Sequence, residues 1–275
     1  MMLSTFTPLF FPSMRADGIE SPYVQTFATT DKILIELIGD VIWAGSATVE
    51  EVNTGWRFTI QFNTWNITDA IRLRFATLSL SAGYYTVSID GIGRSAMFRV
   101  TDDPVVLDNT TLIQYSNRDN RRRQDVVSWI NGMQYFFDFR VPGGFKDSNW
   151  TFAVESEQFV TDDNDIIQLY GRESTQKKFT LGTSEGCPIW FAELLNRLLT
   201  CDFVYFDGER YARKEASVPE ISVLLEGVNS FVFSQNLQKV ANIDPELTLA
   251  HQAILRRISD TEYRAANTNT NRLIK

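Results

Sequence analysis

One stretch of this chain has helical periodicity, and most of what surrounds it reads as strand. In CPIWFAELLNRLLTCDFVYFDGERYAR, residues 187–213, the residues Phe191, Leu194, Leu195 and Leu198 recur at the three- and four-residue spacing of one helical face. Pro188 suits a first helical turn, where its missing N–H costs nothing. Glu193 and Arg197 stand four apart on a face free to meet water. The spacing predicts a helix over 188–200. A helix this short with one apolar side is not stable alone, so it needs a sheet to cover. Asp207 and Gly208 then supply a tight turn between the strands DFVYF and ERYAR.

The strand signals are dense from 23 to about 101. YVQTFA, KILIELIG and VIWAGSATVEEV follow one another, with a turn expected at Gly39 and Asp40. In WRFTIQF, Trp56, Phe58, Ile60 and Phe62 alternate against Arg57, Thr59 and Gln61, the pattern of a half-buried strand. IRLRFATL alternates likewise, and glycine-bearing turns lead into YYTVSID and SAMFRVT. Short strands with turns every 8–12 residues or so indicate a β-sandwich or barrel. DDPVVLDNT, 102–110, breaks the pattern and marks a boundary. Beyond it, TLIQYS, MQYFFDFRV and WTFAV read as strands, and Pro142-Gly143-Gly144 as a type II turn. FVTDDNDIIQLYG and STQKKFTLG read as a hairpin pair leading to the helix. ISVLLEG and SFVFSQNLQKV are late strands.

The expected fold class is therefore mainly β: two antiparallel β-sandwich or barrel-like modules, the second with one helix packed on a sheet. The expected organisation is an N-terminal arm at 1–21, a β-sandwich domain at 22–103, a β-rich domain at 111–255 containing helix 188–200, and a C-terminal tail at 256–275. Leu9, Phe10 and Phe11 are too apolar to stand in water. They should dock on this chain's own core or on a neighbouring subunit, which makes them candidate assembly contacts. The Asn-Thr-rich tail loses apolar periodicity and is expected to order only against a partner.

A net charge of -8 argues against a broad nucleic-acid footprint, which needs a basic surface. Arg118, Arg121, Arg122 and Arg123 crowd one loop nonetheless, and a loop of that kind suits an acidic partner or simply solvent. Cys187 and Cys201 bracket the helix. Its length would hold them roughly 21 Å apart, too far for a disulfide, so both are expected as thiols. The N-terminus lacks the basic region of a signal peptide. No window reaches the ~20 apolar residues of a spanning helix, so no membrane insertion is expected.

Catalytic signatures are sparse. His251 is the sole histidine, so neither a zinc site of usual spacing nor a supported Ser-His-acid triad can be assembled around it. No phosphate-binding glycine loop opens a helix. Asp162-Asp163-Asn164-Asp165 offers hard oxygen atoms to calcium but lacks EF-hand spacing, and a turn built from Asp and Asn side chains explains it as well. Glu155 and Glu157 share a strand face, the minimum for a glycan hydrolase pair. These residues give no catalytic set, no cofactor and no metal.

The second region also carries a resemblance. Gly182, Ser184, Gly186, Pro188 and Trp190 enter the leucine-rich helix, and Cys201, Asp202, Val204, Asp207, Gly208, Arg210 and Tyr211 follow it. This pattern resembles uncharacterised proteins encoded in Bacteroidetes phages and prophages beside tail and baseplate components. The similarity extends to DKILIELIG and FRVTDD, and so to most of the chain. It implies a structural subunit of a virion tail or baseplate, assembled in the bacterial host cytoplasm, with other tail or baseplate proteins and copies of itself as partners. The family supplies no catalytic residues to carry over. The alternative is a carbohydrate-binding or host-recognition module, using Trp65 or Trp150 as an aromatic platform.

Overall fold

The computed structural model describes residues 1–14, 23–43, 45–121, 125–130, 133–214, 220–224 and 230–240, with three short strands beyond, Leu255–Arg257, Tyr263–Ala265 and Leu273–Ile274. The chain is mainly β, and its strands pair antiparallel in several sheets. One pair departs from that rule: Gln25–Ala28 runs parallel to Phe98–Thr101.

The chain divides into two compact units, Met1–Lys239 and Val240–Lys275. The two strand-rich stretches expected as separate modules thus fall in one unit, and the boundary expected near 255 lies at Val240. In the second unit, Leu255–Arg257, Tyr263–Ala265 and Leu273–Ile274 pair as an antiparallel meander. The stretch expected as a structureless tail therefore contains strands. His251 lies outside the described residues.

Two sheets build the first strand-rich region. One has Ile33–Asp40 and Ile71–Leu78 at its centre; the other has Gly83–Ile89 between Phe98–Thr101 and Ala47–Glu51. Their facing apolar residues, Ile33, Ile35, Leu37, Val49, Val87 and Phe98 among them, form one buried cluster. This is the sandwich arrangement in which alternate residues of each strand fill the core. The half-buried strand expected from WRFTIQF is reduced to Arg57–Thr59. It lies at a sheet edge, where Trp56 stays largely exposed and packs at a tilt beside Phe58 with ring centres 5.0 Å apart. Alternation identified its two faces, but an edge position leaves one of them uncovered. The turn expected at Gly39 and Asp40 comes two residues later, since strand Ile33–Asp40 runs through both.

The third sheet closes on itself. Its closed circuit runs Ile166–Leu181, Phe137–Val160, Thr110–Ser116, Phe203–Phe206, Glu209–Arg213 and Phe231–Lys239, which pairs back to Ile166–Leu181, and a seventh strand, Glu220–Val223, pairs on Phe231–Lys239 off that circuit. The result is a small antiparallel barrel with no open edge along that circuit. Phe145, Phe179, Phe206 and Tyr211 meet ring to ring on one of its faces. Helix Ile189–Leu198 covers the same set of inward residues, burying Trp190, Phe191, Leu194, Leu195 and Leu198. Pro188 caps the helix from an extended conformation, one residue earlier than its expected place in the first turn. Cys187 and Cys201 are free thiols, as the helix length requires.

Pro142-Gly143-Gly144 is not a turn. Phe137–Val160 is a single strand that passes through it, and Gly143 pairs with Leu181. Gly143 has φ +101, and a Cβ there would collide with the carbonyl oxygen of Thr180. Glycine serves here to let two backbones approach, not to reverse the chain.

The N-terminal segment is part of the interior. Leu9 and Phe11 are buried in the sandwich core, Phe6 is buried in the core that includes the barrel, and Phe10 stacks on Trp190 at 5.9 Å. Its backbone is held from both sides: Tyr115 donates to the Phe6 carbonyl at 3.1 Å, and Ala96 N–H donates to Phe10 at 2.8 Å. Of the two destinations expected for the arm, this chain's own core or a neighbouring subunit, these side chains take the first, which leaves Leu9 and Phe11 buried and not available as assembly contacts. Apolar residues so short a distance from two unfilled cores gain more by filling them than by waiting for a partner.

Candidate functional site

The feature that stands apart from this compact unit is the far end of the long hairpin. Strands Phe137–Val160 and Ile166–Leu181 pair from Gly143 and Leu181 out to Val160 and Ile166. Only the barrel end of each strand has a second neighbour. Thr110–Ser116 flanks residues 137–142, and Phe231–Lys239 flanks residues 176–181. From Phe152 to Val160, about 27 Å of extended chain, the hairpin is a two-stranded arm.

The sequence gives this arm two unlike faces. Residues directly opposite in register share a face. Trp150 opposite Lys177, Phe152 opposite Thr175 and Val154 opposite Glu173 make one face; Thr151 opposite Gln176 and Ala153 opposite Ser174 make the other. Near the end the register shifts between Glu157 and Gln158, and then Phe159 pairs with Ile167 and Val160 with Ile166. Apolar side chains occur on both faces there. Phe152 is 76% exposed and Leu169 61%. Val154, Phe159, Val160, Ile166 and Ile167 are also exposed. Trp150 and Phe152 stack at 5.8 Å, and the Lys177 ammonium lies 3.5 Å from the Trp150 ring centre. An alternating strand normally hides its apolar side; this one presents it to solvent.

The acidic stretch caps the arm. Asn164, at φ +61, takes the left-handed conformation that short polar residues tolerate. Thr161 and Asp165 close the turn: Asp165 N–H donates to Thr161 Oγ1 at 3.1 Å and Ile166 N–H donates to Asp165 Oδ1 at 2.9 Å. The side-chain-built turn accounts for the residue types. Among the described residues no group of three or more His, Cys, Asp or Glu is placed to hold a metal. Asp162, Asp163 and Asp165 all face solvent.

The arginine loop makes a second surface. Arg118 and Arg121 are exposed and, with Trp65, Asn120, Asp119 and Trp129, line a shallow groove of about 470 Å³. Asn120 Oδ1 accepts from Ser128 N–H and Trp129 N–H, both at 2.8 Å, which fixes the loop against the small strand beside it. The Arg118 guanidinium lies 5.8 Å from the Phe203 ring centre. Arg122 and Arg123 lie outside the described residues. Trp65, one of the two residues expected in an aromatic platform, is half-buried in this groove, far in sequence and sheet from Trp150 on the arm.

The residues carrying the family resemblance have local structural work. Gly186, at φ +73, lies where a Cβ would collide with Ser230 Oγ. That close approach allows Cys187 and Phe231 to exchange backbone hydrogen bonds at 2.8 and 2.9 Å. Pro188 and Trp190 then start the helix, with Trp190 against Phe139. Asp207, at φ +48, and Gly208, at φ +82, form the turn, and Asp207 Oδ1 accepts from Leu112 N–H at 2.9 Å. Arg210 donates to the Asp202 carbonyl at 2.9 Å, and buried Tyr211 donates to Glu209 at 2.8 Å. Burial pushes the Cys187 thiol up to about 12, so it is not a nucleophile at neutral pH. No described helix is long and apolar enough to cross a membrane.

Sequence reasoning divided the arm into separate short strands and missed it as an element. The available signal was the alternation of Trp150, Phe152 and Val154 with Thr151 and Ala153, which contains no turn residue.

No family model matches this chain, and no curated protein matches it. Among solved structures, it is similar to a chain in the crystal structure of Dpr2 Ig1-Ig2 in complex with DIP-Theta Ig1-Ig3, at 10% identity over 93% of this chain and 97% of that one, with a TM-score of 0.18. A likeness that slight carries no argument about fold or function.

Proposed function

We propose that this chain is a structural subunit of a bacteriophage or phage-like tail or baseplate, acting through protein-protein contacts and assembling with copies of itself. The observation that carries the assembly part is the arm, with Phe152, Val154, Phe159, Val160, Ile166, Ile167 and Leu169 exposed on a hairpin whose base is paired into the barrel. Monomeric proteins rarely present so continuous an apolar surface. Covering both sides of the arm would remove on the order of 800 Å² from water, one partner's share of a standard interface. The tail or baseplate setting rests on the sequence resemblance.

The carbohydrate-binding reading is weaker at Trp150. Its ring already has the Lys177 ammonium 3.5 Å from its centre and Phe152 beside it, which competes with a sugar for the same surface. Hydrogen exchange of the full chain at low and high concentration tests the assembly reading. Amides of residues 150–175 should gain protection as concentration rises. Unchanged exchange along the arm in a chain that stays monomeric would overturn it.

A further inference from the structure

The arm needs a surface to receive it, and the same chain carries one of matching chemistry. We infer that the tip of the arm docks in the arginine groove of a second copy, joining subunits head to tail. This deepens the assembly reading and rests on it.

The two surfaces are complementary in both charge and polarity. The tip presents Asp162, Asp163 and Asp165 at the turn, with Phe159, Val160, Ile166 and Ile167 just behind. The groove presents Arg118 and Arg121 at its exposed margin and the indoles of Trp65 and Trp129 in its walls. Asp119 is the acid in that lining. On a chain of net charge -8 a groove edged by two guanidinium groups is a local exception. Arginine suits this role because its planar fork meets carboxylates in pairs and its face stacks on aromatics. Pairing two acidic tips with each other would instead set like charges together, so a two-fold contact through the tips is disfavoured.

The donor and acceptor surfaces are different patches. Such a contact is heterologous and repeats from copy to copy, closing into a ring or continuing as a filament. The apolar residues supply the contact area, and the acids and arginines set its direction and register.

A charge exchange tests this on the full chain. One variant carries Asp162→Lys and Asp163→Lys; the other carries Arg118→Glu and Arg121→Glu. Asp165 and Asn164 are left to hold the turn. Sedimentation velocity should find each variant associating about tenfold more weakly than the native chain, or worse. Mixed in equal amounts they should reassemble, since the lysine tip fits the glutamate groove and the aspartate tip fits the arginine groove. Recovery on mixing also shows that both variants are folded. Native-like assembly of each variant alone, or loss without recovery on mixing, overturns the inference. If Phe152→Ser with Leu169→Ser disperses the assembly while both charge variants assemble as the native chain does, the arm reading stands and the groove is not its receiver. A native chain that remains monomeric overturns the assembly reading itself.

Discussion

Asp31 and Arg140 form a buried two-pronged ion pair, Nε to Oδ2 at 2.7 Å and Nη2 to Oδ1 at 2.9 Å. Asp31 comes from the first strand-rich region and Arg140 from the barrel strand. Asp31 Oδ2 also accepts from Ala28 N–H, and next to it Lys32 N–H donates to Asp138 at 2.7 Å. Removing one member of such a pair strands the other charge. Arg140→Ala should therefore cost about 3–5 kcal/mol, read as a lower denaturant midpoint. Because the pair ties the two regions together, native Met1–Lys239 should unfold as one calorimetric transition.

Glu36 gives the stability a pH dependence. It is fully buried, Val127 N–H donates to its Oε1 at 3.2 Å, and its Oε2 has no hydrogen-bond partner among the described residues. Burial raises its pKa to about 8, the Val127 and Ser4 hydrogen bonds opposing the shift and the charge of Asp125 adding to it. The unfolded chain releases this proton near the ordinary carboxylate pKa, and the folded chain holds it. The contribution to stability is thus whole below pH ~4.5 and is lost as pH rises toward about 8. Thermal melts at pH 5.5 and 8.5 should show the native chain losing several degrees more than Glu36→Gln.

Gly143 tests the reading of the long strand. If Phe137–Val160 passes straight through Gly143 with its carbonyl-crowded, positive-φ backbone, Gly143→Ala should destabilise by about 2 kcal/mol or more. A surface turn at Pro142-Gly143-Gly144 would tolerate alanine with little change in melting temperature.

The two thiols should separate by reactivity. Cys187 is fully buried and Cys201 is half-buried. A thiol reagent at pH 8 should modify Cys201 in the native chain and reach Cys187 only on unfolding. Equal labelling rates would contradict the burial of Cys187 in the core that helix Ile189–Leu198 helps to form.

Much of this was legible in residue order. The helix could be read because four apolar residues at helical spacing, Phe191, Leu194, Leu195 and Leu198, all had to face one core. The Asp207-Gly208 turn could be read because few pairs of residues accept two left-handed conformations in succession. The continuity of Phe137–Val160 could not, since glycine at 143 signals a turn by composition and a close backbone crossing by context. The fate of Leu9 and Phe11 was likewise hidden. Their apolarity demanded cover, but which core supplies it depends on long-range contacts that no local pattern encodes. The arm reverses that case: its alternation is that of a half-buried strand, and only the assembled sheet reveals that its apolar side has no cover within the described chain.

Light scattering on the full chain across a hundredfold range of concentration, roughly micromolar to a tenth millimolar where specific contacts of this area act, tests the arm as the assembly element. The mass should rise above one chain in the native protein and fall back to one chain in Phe152→Ser with Val154→Ser and Leu169→Ser. A native chain that stays at one mass throughout, or a polar-arm variant that assembles as the native chain does, would contradict that role for the arm.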